Sequence, residues 1–160
     1  DQVRILDYNR VVKDLNGLSA DRLLERLSAA FEIHPAQIKK PQAPREFGMY
    51  LASRWRRLVP KQSADESELD VSILQESLLA PILGVADPRV DSRISFVGGA
   101  RGPEELERLV DAGDYAVAFT LYPTRVEQMM AIADAGEIMP PKSTWFEPKL
   151  LSGLLLNPFT

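Results

Sequence analysis

The stretch from position 140 to position 149, Pro140-Pro141-Lys142-Ser143-Thr144-Trp145-Phe146-Glu147-Pro148-Lys149, combines ligand-type side chains with a stiff backbone. A lysine brings a mobile positive point charge, and hydroxyls give short hydrogen bonds without adding negative charge. The flanking prolines restrict the chain, so less entropy is lost when a ligand is held. This predicts a cleft for an anionic group, with Lys142, Ser143, Thr144 and Lys149 on one face and Arg10 as a partner from an N-terminal strand. If the segment is extended, Trp145 and Phe146 cannot both point the way the hydroxyls do. One aromatic then anchors the segment to the core and the other flanks the cleft. The plainer alternative is a rigid C-terminal crossing whose aromatics complete the core.

Other segments carry chemistry of lower specificity. Gly98-Gly99-Ala100-Arg101-Gly102 falls between a predicted strand and a predicted helix. Such a turn can aim backbone N–H groups at an anion, with Arg101 adding a bidentate contact. It matches neither the dinucleotide fingerprint nor the P-loop, and glycines are also the simplest way to build a tight turn. Asp87-Pro88-Arg89-Val90-Asp91-Ser92-Arg93 could hold a phosphate, a carboxylate or a divalent cation. An internal salt-bridge network clamping a loop is the favoured reading there. His34, the single histidine, has no spaced ligand pattern around it, and no cysteine is present. A thiol mechanism, a disulfide framework and a zinc site with cysteine ligands are thereby excluded for these residues, and no metal or cofactor is expected. Arg54, Arg56 and Arg57 beside Trp55 read as a solvated hairpin face rather than a nucleic-acid stacking platform.

The elements that must position these groups read as follows. Residues 3–12 are rich in β-formers and predict a strand covered on both faces. Ser19 caps a helix over 20–30 whose stripe is Leu23, Leu24, Leu27 and Phe31. Glu32-Ile33 suggests a short strand, and prolines 35, 41 and 44 mark an exposed connection. Residues 46–51 and 54–59 have hairpin spacing, although Ala52-Ser53 is not the favoured Asn-Gly turn. After a polar, acidic loop whose end can cap the next helix, Val71, Leu74, Leu78 and Ile82 share a helical face. Residues 93–97 predict a strand, Gly102-Pro103-Glu104-Glu105 opens a helix, and residues 115–121 predict a buried strand. Thr124-Arg125-Val126-Glu127 has capping-box spacing for a last helix. Residues 144–147 and 152–157 add a hairpin or two edge strands. The fold class is therefore α+β over a single domain, residues 1–160, with a mixed sheet and crossover helices covering a face. The order of strands and helices predicts that part of that sheet is parallel.

Composition bounds the partners. The chain has 160 residues, 45% of them apolar, and a formal net charge of −4. That charge gives no reason to expect nucleic acid or an anionic membrane as partner. No segment approaches eighteen apolar residues, and the start carries no secretory pattern, so the expected compartment is the cytoplasm. The absence of an initiator Met suggests a piece of a longer protein.

Tyr8-Asn9-Arg10-Val11-Val12-Lys13-Asp14-Leu15, Leu69-Asp70-Val71-Ser72-Ile73-Leu74, Phe96-Val97-Gly98-Gly99 and the block from Asp134 to Lys149 together carry a family resemblance. They resemble the C-terminal half of a bacterial and archaeal family catalogued as domain of unknown function 1015. The similar blocks run from about Tyr8 to Leu156. The family's activity is unassigned. Its longer members carry an Asp-Gly-His-His-Arg motif in an N-terminal part similar to the ParB-like and sulfiredoxin-like fold, whose relatives include nucleotide-dependent phosphotransferases. The present chain has no such motif. The resemblance implies that catalytic apparatus lies in a missing N-terminal region, the expected partner of this domain. It also implies an accessory role for Asn9, Arg10, Lys142, Ser143, Thr144 and Lys149, and a nucleotide or small anionic metabolite as ligand. A regulatory domain binding a small anion and a purely structural packing domain remain as alternatives.

With one histidine and no cysteine set against ample apolar stripes, folding needs no metal. Thermal melts with and without a strong chelator are expected to coincide; loss of the cooperative transition in chelator would contradict this.

Overall fold

The computed structural model describes residues 4–62 and 68–148. Strands β2 (Tyr8–Val12), β3 (Phe31–Pro35), β4 (Phe47–Leu51), β5 (Arg54–Pro60), β6 (Ile94–Gly98) and β7 (Val117–Leu121) form one sheet in the order β3-β5-β4-β7-β2-β6. Strands β1 (Arg4–Leu6) and β8 (Trp145–Glu147) form a separate antiparallel pair, with Leu6 opposite Trp145. Helices α1 (Ala20–Ala30), α2 (Asp70–Leu74), α3 (Gly102–Asp111) and α4 (Val126–Asp134) complete the α+β domain.

Alternation along the central strands sorts side chains to two cores. Val12, Met49 and Phe119 join Leu23 and Leu27 of α1 and Val71, Ile73 and Leu74 of α2 on one face. Val11, Tyr50 and Ala118 meet Leu106 of α3 on the other. The sheet is thus covered on both faces, which is why β4 and β7 are buried along their whole length. Truncating Leu23 or Leu27, both fully buried, would remove a side chain worth about 2–5 kcal/mol.

Two local predictions are realised with a twist. Helix α1 is capped by Ser19, whose Oγ accepts from the Arg22 N–H at 3.3 Å, and it passes into β3 without a loop. Phe31 therefore belongs to the strand rather than to the helical stripe. The β4–β5 hairpin turns through Ala52 and Ser53, both at positive φ (50° and 56°), the pairing a two-residue turn of this hand demands. Asp111 at the end of α3 offsets the strain, accepting from the Tyr50 hydroxyl at 2.9 Å and from Ser53 Oγ at 3.0 Å.

The expected parallel pairing does not occur, because all described ladders are antiparallel. The crossover itself is present: β6 and β7 run in the same direction and α3 joins them. Strand β2 lies between the two and is antiparallel to both. Residues 3–12 are likewise not one strand. The chain breaks at Asp7, whose carbonyl accepts from the Gly99 N–H at 2.8 Å while its side chain is buried. This break moves the chain from the small sheet to the large one. The expected strand at 144–147 appears as β8, whereas 152–157 lies outside the described residues.

Helix ends depart from the sequence reading in three places. Helix α4 begins one residue late, with Arg125 at the cap and its N–H donating to Gln128 Oε1 at 3.2 Å. The Thr124 hydroxyl is engaged elsewhere, as described below. Helix α2 widens into a π-helical turn over Gln75–Leu79, and the extra residue per turn buries Leu78 and Leu79 side by side. Its cap position is Leu69, which has no side-chain cap bond. The next residue, Asp70, instead accepts from the Arg45 N–H at 3.0 and 3.1 Å. No helix among the described residues is long and apolar enough to cross a membrane.

Burial pushes the Asp70 carboxyl up from the usual 3.8 to about 6, against the opposing pull of Arg45 and Arg125. The protonated acid is then the form the fold prefers. The Asp70 contribution to stability is therefore fully present below pH 4 and is lost as pH rises through 6. Asp70→Asn is expected to flatten that decline and to raise stability at pH 7 by about 1–3 kcal/mol. Urea unfolding of both proteins between pH 4 and 7 checks it; parallel pH profiles would refute it.

Candidate functional site: a cleft between strand β2 and residues 139–146

Tyr8 and Arg10 are two residues apart on β2 and so project to the same face. The pairing of β8 with β1 draws the preceding segment across that face. Lys142, at φ 58°, turns the chain between the prolines and β8. Three bonds fix this turn. Arg10 Nη2 donates to the Lys142 carbonyl at 3.0 Å. Ser143 Oγ donates to the Pro140 carbonyl at 2.6 Å. The Thr124 hydroxyl donates to the Ser143 carbonyl at 3.0 Å.

Between the turn and Tyr8 lies a cavity of about 400 Å³. Met139 and Pro140 close one end, Trp145 and Phe146 form an aromatic wall, and Lys142, Ser143 and Thr144 supply the polar rim. The Lys142 ammonium stands 5.7 Å from the centre of the Tyr8 ring and has no ion-pair partner among the described residues. Trp145 meets Tyr8 edge-to-face with ring centres 5.4 Å apart. Its ring also lies over Gly98, where a Cβ would come within 2.6 Å of it.

Arg10 lies behind this cleft and is only 4% exposed. Its second guanidinium nitrogen donates to the Tyr8 carbonyl, and the group sits 5.5 Å from the centre of the Phe96 ring. Burial lowers its pKa to about 10, which leaves it a cation at neutral pH. The partners are carbonyls and an aromatic face, and no described carboxylate pairs with it. Its charge therefore adds positive potential to the cleft from beneath.

The structure brings Arg10, Lys142, Ser143 and Thr144 together at one turn. Lys149 lies outside the described residues. Gly98 and Gly99 are not among the residues lining the cleft. They permit close approach, Gly98 beneath Trp145 and Gly99 against the Asp7 carboxylate. Their φ angles are not the reason for glycine; only Gly102 in that run is left-handed, at 72°. Arg101 is exposed and stands 3.8 Å from Glu105. Asn9 faces away from the cleft, its Oδ1 accepting from the Leu121 N–H at 3.3 Å. Asn9 Nδ2 and Asp7 Oδ2 are buried without a hydrogen-bond partner among the described residues. Tyr8 and Met139 were not singled out in the sequence. Tyr8 was recoverable, because any cleft group at Arg10 implies the same face two residues earlier; Met139 had no such signal.

The remaining candidates are structural in their contacts. Arg89 pairs with Asp87 at 2.7 Å and Arg93 with Asp91 at 2.8 Å, while Arg93 also donates to the Leu83 and Gly84 carbonyls. Hydrogen bonds from Arg89 hold Asp87 down at about 2. His34 lies 3.5 Å from Glu32 on the outer strand. The Trp55 indole donates to Glu107 at 2.6 Å, and Arg57 pairs with Glu46 at 2.8 Å. No group of three metal-type acidic or imidazole ligands occurs among the described residues.

Fold and cleft together define an antiparallel α+β domain with an aromatic-walled, cation-rimmed cleft at its smaller sheet. Residues 1–78 match the family described as "Protein of unknown function (DUF1015)", a match that covers just under half of the chain. The similar blocks between Phe96 and Lys149 lie beyond the matched residues. No curated protein matches the chain. Among solved structures it is similar to a free serine kinase in complex with AMP, with a TM-score of 0.51 and 16% identity over 91% of this chain and 54% of that one. A mutant free serine kinase with AMP gives a TM-score of 0.52 and 17% identity over 91% and 54%. A conserved hypothetical protein from Pyrococcus furiosus gives 0.53 and 16% over 90% and 56%. The chain thus spans little more than half the length of each, and at these identities the likeness is one of fold.

The contact of Gly98 with Trp145 is testable. Gly98→Ala is expected to destabilise the chain by about 1–3 kcal/mol and to change the near-UV circular dichroism of Trp145. An unchanged melt together with an unchanged spectrum would show that Trp145 does not rest there.

Proposed function

We propose that this chain is the nucleotide-binding part of a phosphotransferase, with the cleft between Tyr8 and residues 139–146 holding a phosphate group and an aromatic base. The observation that carries the reading is the unpaired positive charge: Lys142 at the rim and Arg10 beneath it meet no carboxylate among the described residues. Sites of this kind suit anions, and the cavity, about 400 Å³, falls within the usual range for small-molecule ligands. The fold likeness to kinases solved with AMP supports the same ligand class.

In this reading Lys142 contacts phosphate directly and Thr144 adds a hydroxyl. Ser143 can still accept a hydrogen bond, since its proton is committed to Pro140. Arg10 acts through the Lys142 carbonyl and through its charge. Lys149 is proposed as a second cation for the same anion. Gly98 serves as the floor under Trp145, Gly99 makes room for the Asp7 carboxylate, and Arg101 is given no ligand. Among the described residues the cleft lining contains no histidine, aspartate or glutamate. The base that would activate an acceptor hydroxyl, and the groups that position the transferred phosphoryl, must then come from residues outside this cleft. That same absence favours a second reading, a domain that binds a small anion without chemistry.

Calorimetric titration with AMP tests the proposal. Binding is expected, and Lys142→Ala should weaken it roughly ten-fold, the value of a charge-assisted hydrogen bond. The melting temperature should hardly move, because Lys142 is exposed. No AMP binding, or binding indifferent to Lys142→Ala, would overturn the assignment of the cleft. Equal affinity for AMP and inorganic phosphate would shift the weight to the small-anion reading.

A further inference from the structure

A second cavity, of about 220 Å³, opens where the loop before β4, the start of α2 and the start of α4 meet. Its charged lining is Arg45, Glu68, Asp70 and Arg125, with Gln128 beside them. We infer that this cavity binds a small zwitterion, an α-amino acid, with its carboxylate between Arg45 and Arg125 and its ammonium facing Asp70 and Glu68.

The arrangement of charges carries the inference. Arg22, Arg57, Arg89, Arg93 and Arg108 each close on a carboxylate within 3.0 Å. The guanidinium groups of Arg45 and Arg125 line a cavity that also contains two carboxylates, yet neither forms a hydrogen bond or an ion pair within 4.0 Å among the described residues. Opposite charges are therefore held apart across a gap. A ligand carrying both signs closes both halves of that gap, whereas a simple anion or a simple cation closes one and is repelled by the other.

The acidic side is built to accept. Asp70 is partly buried, and its two oxygens share a single backbone N–H, that of Arg45, so lone pairs remain for an ammonium. Arg45 is held at φ 65°, the left-handed region, which costs a non-glycine residue some strain. That conformation aims its N–H at Asp70 while the side chain lines the cavity. Burial pushes the Asp70 carboxyl up against the opposing pull of Arg45 and Arg125. A bound ammonium would add to that pull. At about 220 Å³ the cavity lies below the usual range for drug-sized ligands, which excludes a nucleotide and leaves room only for a molecule of a few heavy atoms.

The second cavity adjoins the first through the chain. Thr124 holds the Ser143 carbonyl of the cleft, and the next residue, Arg125, lines the zwitterion site. The inference does not rest on the nucleotide reading, because its probe is an amino acid alone.

The test uses the full chain at neutral pH with L-alanine, propionate and ethylamine, which share a skeleton and differ in which charges they carry. Binding is read by NMR titration of the Arg45 and Gln128 backbone amides. L-alanine should bind roughly ten-fold or more tightly than either single-charge analogue. Arg125→Ala, at an exposed position, should weaken L-alanine by a similar factor. Asp70→Asn should abolish the preference for L-alanine over propionate. Arg45→Gly keeps the left-handed backbone and its N–H, so its loss of binding would isolate the guanidinium. L-alanine binding that is undetectable, no tighter than propionate, or indifferent to Arg125→Ala and Arg45→Gly would overturn the inference.

Discussion

The Arg10 guanidinium is almost fully withdrawn from water, and it is satisfied by the Tyr8 and Lys142 carbonyls and the face of Phe96 rather than by an acid. Taking a cation out of water costs several kcal/mol unless its donors are met. The turn at Lys142 is what meets them, so strand and turn are mutually dependent. From that contact follow the left-handed Lys142, the approach of β8 to β1, and the resting of Trp145 on Gly98. An apolar side chain at position 10 would leave the Lys142 carbonyl without its donor, and nothing else described holds that carbonyl.

This arrangement separates two tasks that surface lysines cannot perform together. Arg10 fixes geometry and contributes charge from below, shielded from salt by burial. Lys142 is exposed and mobile, so it can adjust to the ligand. A cleft built this way has its field in place before a ligand arrives, and little reorganisation is left to the binding step.

Much of the architecture was legible because it is local. The stripe of α1, the Ser19 cap, the β4–β5 hairpin and the strands at β6 and β7 all follow from periodicity and turn chemistry within a dozen residues. Strand direction was not legible, because the insertion of β2 between β6 and β7 depends on residues about a hundred positions apart. The polar rim at 142–144 could be read from side-chain types alone. That Arg10 would meet a carbonyl rather than the ligand could not, since no residue type announces which backbone group it will face. The glycines at 98 and 99 were misleading for a related reason: a missing Cβ signals close approach without saying to what. The charges at Arg45, Asp70 and Arg125 are scattered over eighty positions, so no spacing rule could have joined them.

The sheet order also decides how the domain can be assembled. Strand β7 stands between β4 and β2, and β6 closes the far side of β2. The residues matched by the family, 1–78, supply β2, β3, β4 and β5 but neither neighbour of β2. Cut at that boundary, β3, β4 and β5 would keep their meander while β2 would have nothing to pair with. The match therefore marks a stretch of recognisable sequence and not an autonomous folding unit. The first strand of the large sheet has to wait, unpaired, until residues 94–121 have been made, and this places the domain among folds dominated by long-range closure, which form slowly.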